Sequence, residues 1–147
     1  MKILSLVRYI RDKKSKTLSS NQHTMFACYL CDWKSCIEYG RQMTEATWTM
    51  STHGPSSNIV REILVDNVAG FSSPELSDED IAVAEFVVES IERWYEEDEK
   101  EREFMVSKLR HIVYSTYPCI STDLNERMDL PALARQYAEE LKALGGE

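Results

Sequence analysis

The sequence lacks a long apolar run. No stretch of its 147 residues approaches the roughly 18 consecutive apolar residues that a membrane-spanning helix requires. The N-terminal apolar run begins like a secretory signal, but Ser5 interrupts it and Arg8 ends it, which is too soon for the hydrophobic core of such a signal. We therefore expect a cytoplasmic protein with no membrane partner.

The four cysteines are placed in a way that does not suit a disulfide framework. Three of the four cysteines fall within nine positions of one predicted helix, as expected for a protein of a reducing compartment. Cys28 and Cys31 share a helix face, but a structural zinc site needs four ligands. Cys36 and then Cys119 or a histidine would have to complete it. We expect the cysteines to pack in the core, and a zinc-dependent or zinc-stabilised domain stays open as the lowest-ranked alternative.

The sequence also lacks an evident catalytic constellation. It contains no nucleophile–base pair, no phosphate loop and no complete set of metal ligands. The three histidines, His23, His53 and His111, are scattered along the chain. His53 precedes Gly54 and Pro55, where stabilising a turn is the expected role of its side chain. We therefore predict no catalytic residue, no metal and no cofactor. The protein is expected to act by binding a partner rather than by catalysing a reaction.

Charge is distributed unevenly along the chain. Residues 1–64 carry nine Lys/Arg and five Asp/Glu, whereas residues 65–147 carry eight and twenty, and the net charge is −8. A strongly acidic half repels the phosphates of nucleic acid and attracts a basic protein. The candidate partner surface lies in the acidic run and consists of Glu96, Glu97, Asp98, Glu99 and Glu101, although a merely solvated helix face has the same pattern.

Apolar periodicity predicts helices over most of the chain. The stripe of a first helix of about 12 residues contains Ile3, Leu6, Val7 and Ile10. A capping box of Ser19 and Gln22 opens a second helix that ends at Gly40. This helix is apolar on most faces, which is typical of the centre of a bundle.

Helix signals continue in the second half. Ser77, followed by three acidic residues, starts a long fourth helix, and a fifth helix ends near Pro118. Pro131 lies early in the last helix. The inward face of that helix is predicted to carry Leu133, Tyr137, Leu141 and Leu144.

One segment is typical of a strand. Residues 45–52 alternate between polar side chains and apolar or aromatic ones. Gly54 and Pro55 are predicted to form a turn that opens the next helix, with Ser56 or Ser57 as its cap. A lone strand needs a partner, which the sequence does not clearly show. We therefore predict a mainly α, single-domain bundle of about six helices over residues 1–147, with a small β element near residues 45–52.

Asp32 is an unusual residue for its position. It lies between Cys31 and Trp33 on the most apolar predicted helix, and burying a lone carboxylate is expensive. We expect it to pair with Arg41 or another cation, to cap a backbone segment, or to reach solvent. A structural tether is favoured over a role in partner binding.

Three short motifs of this chain resemble the Panacea (SocA-like) antitoxin domain family. They are Tyr29-Leu30-Cys31-Asp32-Trp33, Tyr39-Gly40-Arg41 and His53-Gly54-Pro55. The family shows a leucine-tyrosine-leucine-alanine-aspartate run, a tyrosine-glycine-arginine-proline step and a lysine-histidine-glycine-proline turn. A looser likeness in helix order covers residues 1–140. The chain departs from the family at Gln42, where proline is frequent, and at Ser56, where valine commonly follows.

The resemblance implies a non-enzymatic antitoxin that neutralises a protein toxin by direct contact. It gives a structural or partner-binding role to Tyr29, Asp32, Trp33, Tyr39, Gly40, Arg41, His53, Gly54 and Pro55. A basic, nucleic-acid-directed toxin would be the natural counterpart of an acidic antitoxin. The alternative is a phage or mobile-element inhibitor of a host defence or regulatory protein, built on the same scaffold. The sequence names neither the partner nor the oligomeric state.

Overall fold

The computed structural model describes residues 1–13, 20–66, 75–96 and 105–145, which contain seven helices and three short strands. In chain order they are α1 (Lys2–Asp12), α2 (Asn21–Tyr39), β1 (Trp48–Ser51), β2 (Gly54–Ser56), α3 (Asn58–Asp66), α4 (Asp78–Glu96), α5 (Met105–Tyr114), α6 (Tyr117–Ser121), β3 (Arg127–Met128) and α7 (Leu130–Gly145). The predicted mainly α architecture with a small β element is confirmed.

Helix α2 occupies the centre of the molecule. It packs against α1, α3, α4, α5 and α7, as its apolar character on most faces predicted. Its start lies one residue later than predicted, because the side chain of Ser20 accepts a hydrogen bond from the His23 backbone N–H at 3.1 Å. Gly40 ends the helix in the left-handed conformation, with φ of +72°, as expected for a C-terminal glycine.

Helix α1 packs on the core through the predicted stripe. The side chains concerned are at most 1% exposed, namely Ile3, Leu6, Val7 and Ile10. The Lys2 ammonium also donates to Asp80 Oδ2 at 2.9 Å, which ties α1 to the start of α4. Asp80 and Ser77 bond reciprocally, each side chain accepting from the other residue's backbone N–H at 3.1 Å, so the predicted start of α4 at Ser77 is confirmed.

The β element is a three-stranded antiparallel sheet in the order β2-β1-β3. Met50 pairs with Pro55 across β1 and β2, and Trp48 pairs with Met128 across β1 and β3. The prediction that Gly54 and Pro55 form a turn into the next helix is therefore wrong. The turn is made by the two preceding residues, and Pro55 is tolerated because β2 is an edge strand.

The C-terminal part also departs from expectation. Pro118 lies in the separate five-residue helix α6, where it is tolerated in the first turn, and this short helix accounts for the seventh. Leu141 and Leu144 were predicted to face inward, but they are 50% and 87% exposed. The buried residues of α7, Leu130 and Ala134, lie in its first turns. The last turns of α7 therefore extend beyond the described elements that pack against its first turns.

The length and apolar character of the helices can also be compared with what is needed to cross a bilayer. None in the described ranges combines the length and apolar character needed to cross a membrane.

Among the glycines of the described ranges, Gly54 is the one where the backbone demands glycine most strongly. Its φ is +102°, and an added Cβ would lie 3.1 Å from Cε1 of Phe26. We predict that Gly54→Ala lowers the free energy of unfolding by about 1–3 kcal/mol, because the backbone is strained for any other residue and the phenyl ring must shift. Urea denaturation of both proteins measures the difference.

Gly145→Ala is the matched control for this substitution. At Gly145, no heavy atom of the described residues lies within 4 Å of an added Cβ, so a change of no more than about 0.5 kcal/mol is expected. Equal stabilities of the two variants would contradict the explanation given for Gly54.

Candidate functional site

The carboxylate of Asp32 joins α2 to the segment that leads into the sheet. Asp32 has no exposed surface. Its Oδ1 accepts a hydrogen bond from the Thr44 backbone N–H at 2.9 Å, and its Oδ2 accepts from Thr44 Oγ1 and Trp48 Nε1, both at 2.8 Å. Of the roles predicted for Asp32, the capping of a backbone segment is the one that the structure shows.

Two effects act in opposite directions on the pKa of Asp32. Burial removes the carboxylate from water and raises its pKa from the ordinary 3.8 to about 7. The donors on Trp48 and Thr44 favour the ionised form and limit the rise. The predicted pairing of Asp32 with Arg41 is wrong, because Arg41 Nη2 donates to Glu79 Oε2 at 2.9 Å on the surface.

The loop between α2 and β1 is held by side-chain donors and acceptors. Gln42 Nε2 donates to the carbonyl oxygens of Thr44 at 2.8 Å and Ala46 at 2.6 Å. Ser35 Oγ donates to the Arg41 carbonyl at 2.9 Å. Gln42 therefore supports this loop through hydrogen bonds at the position where the family motif has proline.

The first motif is mostly interior, since Tyr29, Cys31, Asp32 and Trp33 are buried and Leu30 is partly buried. The Tyr29 ring meets the Trp48 ring edge-on, with centroids 5.6 Å apart, and its hydroxyl lies 2.8 Å from Thr116 Oγ1. Trp33 packs against Tyr137 of α7, with ring centroids 5.9 Å apart. Together with Asp32, these side chains connect α2 to the sheet and to the C-terminal helices.

The second motif forms the end of α2 and lies near the surface. Tyr39 is 39% exposed, and the Arg41 guanidinium lies 5.6 Å from the centre of its ring. Gly40 between them provides the change of direction. Tyr39 and Arg41 are thus accessible to a partner, whereas Gly40 has a structural role.

The third motif forms the hairpin. His53 is exposed, and its backbone N–H donates to Ser51 Oγ at 3.1 Å, whereas Gly54 and Pro55 are buried. Ser51 Oγ in turn donates to the Gly54 carbonyl at 2.7 Å. The three motifs lie at different places in the fold. The first faces the sheet and α7, the second ends α2 where Arg41 contacts Glu79 of α4, and the third forms the hairpin. Most of their residues support the fold.

The cysteines are free and buried, as expected for core packing. Burial raises the pKa of all four thiols, that of Cys36 to about 12, which disfavours the thiolate form that zinc requires. Within the described part of the chain, no group of three or more His, Cys, Asp or Glu side chains is placed to hold a metal ion.

The histidines lie on three different elements. His23 is in the first turn of α2, where Nδ1 lies 2.7 Å from Ser20 Oγ and burial lowers its pKa. His53 lies in the hairpin and His111 on α5. The fold does not use them as one site.

The predicted acidic partner surface falls almost wholly outside the described residues. Glu96 is the last residue of α4, and Glu97, Asp98, Glu99 and Glu101 follow it beyond the described range. This surface stays a prediction.

An apolar groove of about 430 Å³ lies between α2 and α4 and was not identified from the sequence. Ile37 belongs to the helix predicted to lie at the centre of the bundle, but it is 49% exposed, and Phe86 is 52% exposed. Nζ of Lys34 lies 3.9 Å from the centre of the Phe86 ring. We call this the α2–α4 groove; its lining consists of Leu30, Trp33, Lys34, Ile37, Glu38, Phe86, Val87, Ser90, Arg93 and Trp94.

The sequence contained one signal for this groove. Phe86 falls outside the apolar stripe of α4, whose members Ala84, Val87 and Val88 are buried. Singly exposed apolar residues are common, so Phe86 becomes informative only together with Ile37, which lines the same groove.

Comparisons with models of known protein families, with curated proteins and with solved structures found no match for this chain.

Asp32→Asn tests the role of the carboxylate. Any orientation of an amide directs its NH₂ group at the backbone N–H of Thr44 or at Trp48 Nε1, so one donor loses its acceptor. We predict that the free energy of unfolding at pH 7 falls by about 1.5–3 kcal/mol. Denaturant unfolding measures it, with Asp123→Asn, at an exposed position, as the control. A loss no larger than that of the control would contradict the tether.

The same pair of proteins tests the pKa of Asp32. Because its folded pKa of about 7 exceeds its ordinary 3.8, the native state binds more protons than the unfolded state between these values. The proton-linked part of the Asp32 contribution to stability is thus complete below pH 3.8 and is lost as the pH rises through 7, whereas the hydrogen bonds from Thr44 and Trp48 remain. The stability of the wild type minus that of Asp32→Asn should decrease from pH 4 to pH 8. A pH-independent difference would show that burial does not raise this pKa.

Proposed function

We propose that this protein is a non-enzymatic, cytoplasmic antitoxin of the Panacea type, which neutralises a protein toxin by direct contact. The observation that carries the proposal is the α2–α4 groove, because its partly exposed apolar side chains lie on the same central helix as the first two motifs. The resemblance of the three motifs supports the choice of family.

The composition of the α2–α4 groove is typical of a protein interface. Phe86 and Ile37 are large apolar side chains with about half of their surface exposed. Trp94 is partly buried and lies in the same lining, and aromatic anchors of this kind often dominate binding energy. Lys34, Glu38 and Arg93 add charges that suit a polar rim.

The overall charge supports a basic toxin. The chain carries a net charge of −8, and α4 exposes several acidic side chains on its solvent face, including Glu79, Glu85 and Glu89. Such a field accelerates association with a basic protein. A nucleic-acid-directed toxin is basic for its own function, which makes it the expected partner.

The test is coexpression with the product of the neighbouring gene. We expect the wild-type chain to restore growth of cells that produce that protein and to copurify with it. Phe86→Asp should weaken the complex by about 30-fold or more and reduce the rescue, since truncating an interface anchor costs at least about 2 kcal/mol.

Leu124→Asp is the matched control, because Leu124 is also 52% exposed and does not line the α2–α4 groove. It should leave affinity and rescue unchanged. Absence of both rescue and complex for the wild type would refute the antitoxin proposal. Full rescue by Phe86→Asp would instead exclude the α2–α4 groove as the contact surface.

A further inference from the structure

The α2–α4 groove is bounded on both sides by α-helix. Its lining runs from Leu30 to Glu38 on α2 and from Phe86 to Trp94 on α4. Each wall spans eight residue steps of about 1.5 Å, so the groove is about 12 Å long, or slightly more than two helical turns. This length matches three side chains placed at i, i+3 or i+4, and i+7 on a helix.

Apolar surface is exposed on both walls of this groove. Ile37 on α2 is 49% exposed, and Phe86 on α4 is 52% exposed. Leu30 and Trp94 are partly buried and complete the apolar part of the lining. Because these side chains line one groove rather than lying singly on the surface, they indicate a contact with another molecule.

The backbone of the two walls offers little to an extended peptide. Residues 30–38 and 86–94 lie within helices, where every N–H group and most C=O groups are bonded within the same helix. The N–H groups of an extended chain in this groove would lose water without gaining an acceptor. An α-helix satisfies its own backbone, so a helix is the form of peptide that the groove can bury.

Acidic side chains border the groove on the α4 side. Glu89 lies one turn from Phe86, and Glu85 lies one turn from Glu89. Both acids are exposed, and neither forms an ion pair with a described residue. On the opposite wall, Lys34 is already paired with Glu38. This border therefore favours a basic partner.

Arg93 carries the opposite charge and also lines the groove. It lies one turn beyond Glu89 on α4, toward the Trp94 end. Basic side chains of a partner are thus favoured at the Phe86 end of the groove, where Glu85 and Glu89 lie.

A second copy of this chain does not suit the groove. Each copy carries a net charge of −8, and a symmetric contact through this face would bring two acidic borders together. Like charges that face each other across an interface disfavour the wrong partner.

We propose that the α2–α4 groove binds a basic amphipathic α-helix of the partner protein. The apolar stripe of that helix contacts Ile37 and Phe86, and its lysine or arginine side chains reach over to Glu85 and Glu89. Their long stems allow the charge to lie at the border while the stem covers apolar surface. The inference rests on the proposed function for the identity of the partner, because it names the part of the toxin that the groove holds.

The experiment uses synthetic peptides of about 15 residues, the length at which isolated helices become stable enough to measure. The lysine probe has leucines at i, i+3 and i+7, with lysines beside this stripe. One control peptide has glutamate at every lysine position, and another scatters the same leucines. We expect the lysine probe to bind the full chain at least about tenfold more tightly than either control. Fluorescence anisotropy measures the affinity, and circular dichroism should show that the probe gains helix on binding.

Phe86→Asp separates apolar contact from simple charge attraction. This substitution makes the chain more acidic, so charge attraction alone would strengthen binding of the lysine probe. Loss of the apolar contact should instead weaken binding at least about tenfold. Leu124→Asp is the matched control, because it adds the same charge at a side chain that is also 52% exposed and does not line the groove. It should not weaken binding.

The acidic border is tested with the double variant Glu85→Gln and Glu89→Gln. It should bind the lysine probe about three- to tenfold less tightly than the wild type, with a weaker dependence on salt. The matched control combines Glu62→Gln and Glu139→Gln, which remove the same charge from exposed helical positions outside the groove. Its affinity should change by less than about twofold.

The proposal is overturned if the lysine probe does not bind, if the peptide with scattered leucines binds equally well, or if either test variant behaves like its control. Sedimentation of a wild-type dimer that Phe86→Asp dissociates would also overturn it, because a second copy would then occupy the groove. Rescue and complex formation without probe binding would overturn the helix alone. Probe binding without rescue or complex would overturn the antitoxin role alone.

Discussion

The burial of the Asp32 carboxylate constrains both the helix that carries it and the chain that follows. Removing a carboxylate from water is costly unless donors replace the water. Here three donors come from only two residues, Thr44 and Trp48. Because Trp48 is the first residue of β1, the carboxylate also determines where the strand begins. One buried acid therefore couples the helical part of the molecule to its sheet.

Local patterns predicted the parts of the fold that local interactions determine. The stripe of α1, the end of α2 at Gly40 and the capped start of α4 at Ser77 all follow from periodicity and capping. The partners of β1 could not be predicted. A strand of two residues, such as β3, is too short to show an alternating pattern of polar and apolar side chains. The exposure of Leu141 and Leu144 was missed because an apolar stripe shows which face of a helix is apolar, not whether anything covers it.

The candidate site was predictable to a similar degree. Asp32 was predicted to have a structural partner because a carboxylate on an apolar helix needs hydrogen-bond donors or a cation. Its partner Thr44 could not be predicted, because Thr44 lies in an irregular loop and sequence patterns do not specify the path of such a loop. The α2–α4 groove depends on how far apart two helices lie, which is a tertiary property. Most residues of the three motifs support the fold, so the motifs are informative about the fold, whereas the proposed partner contact lies at the surface around Phe86 and Ile37.

The sheet is completed by a strand from the far end of the chain. β3 covers the second edge of β1, and α7, which follows it, covers α2. Until residues 127–145 have left the ribosome, the nascent chain presents an open strand edge and an uncovered central helix, both of which invite aggregation or chaperone binding. A truncation that removes β3 has the same effect, so we expect the shortest chain able to fold to include β3 and the first turns of α7, which hold its buried residues.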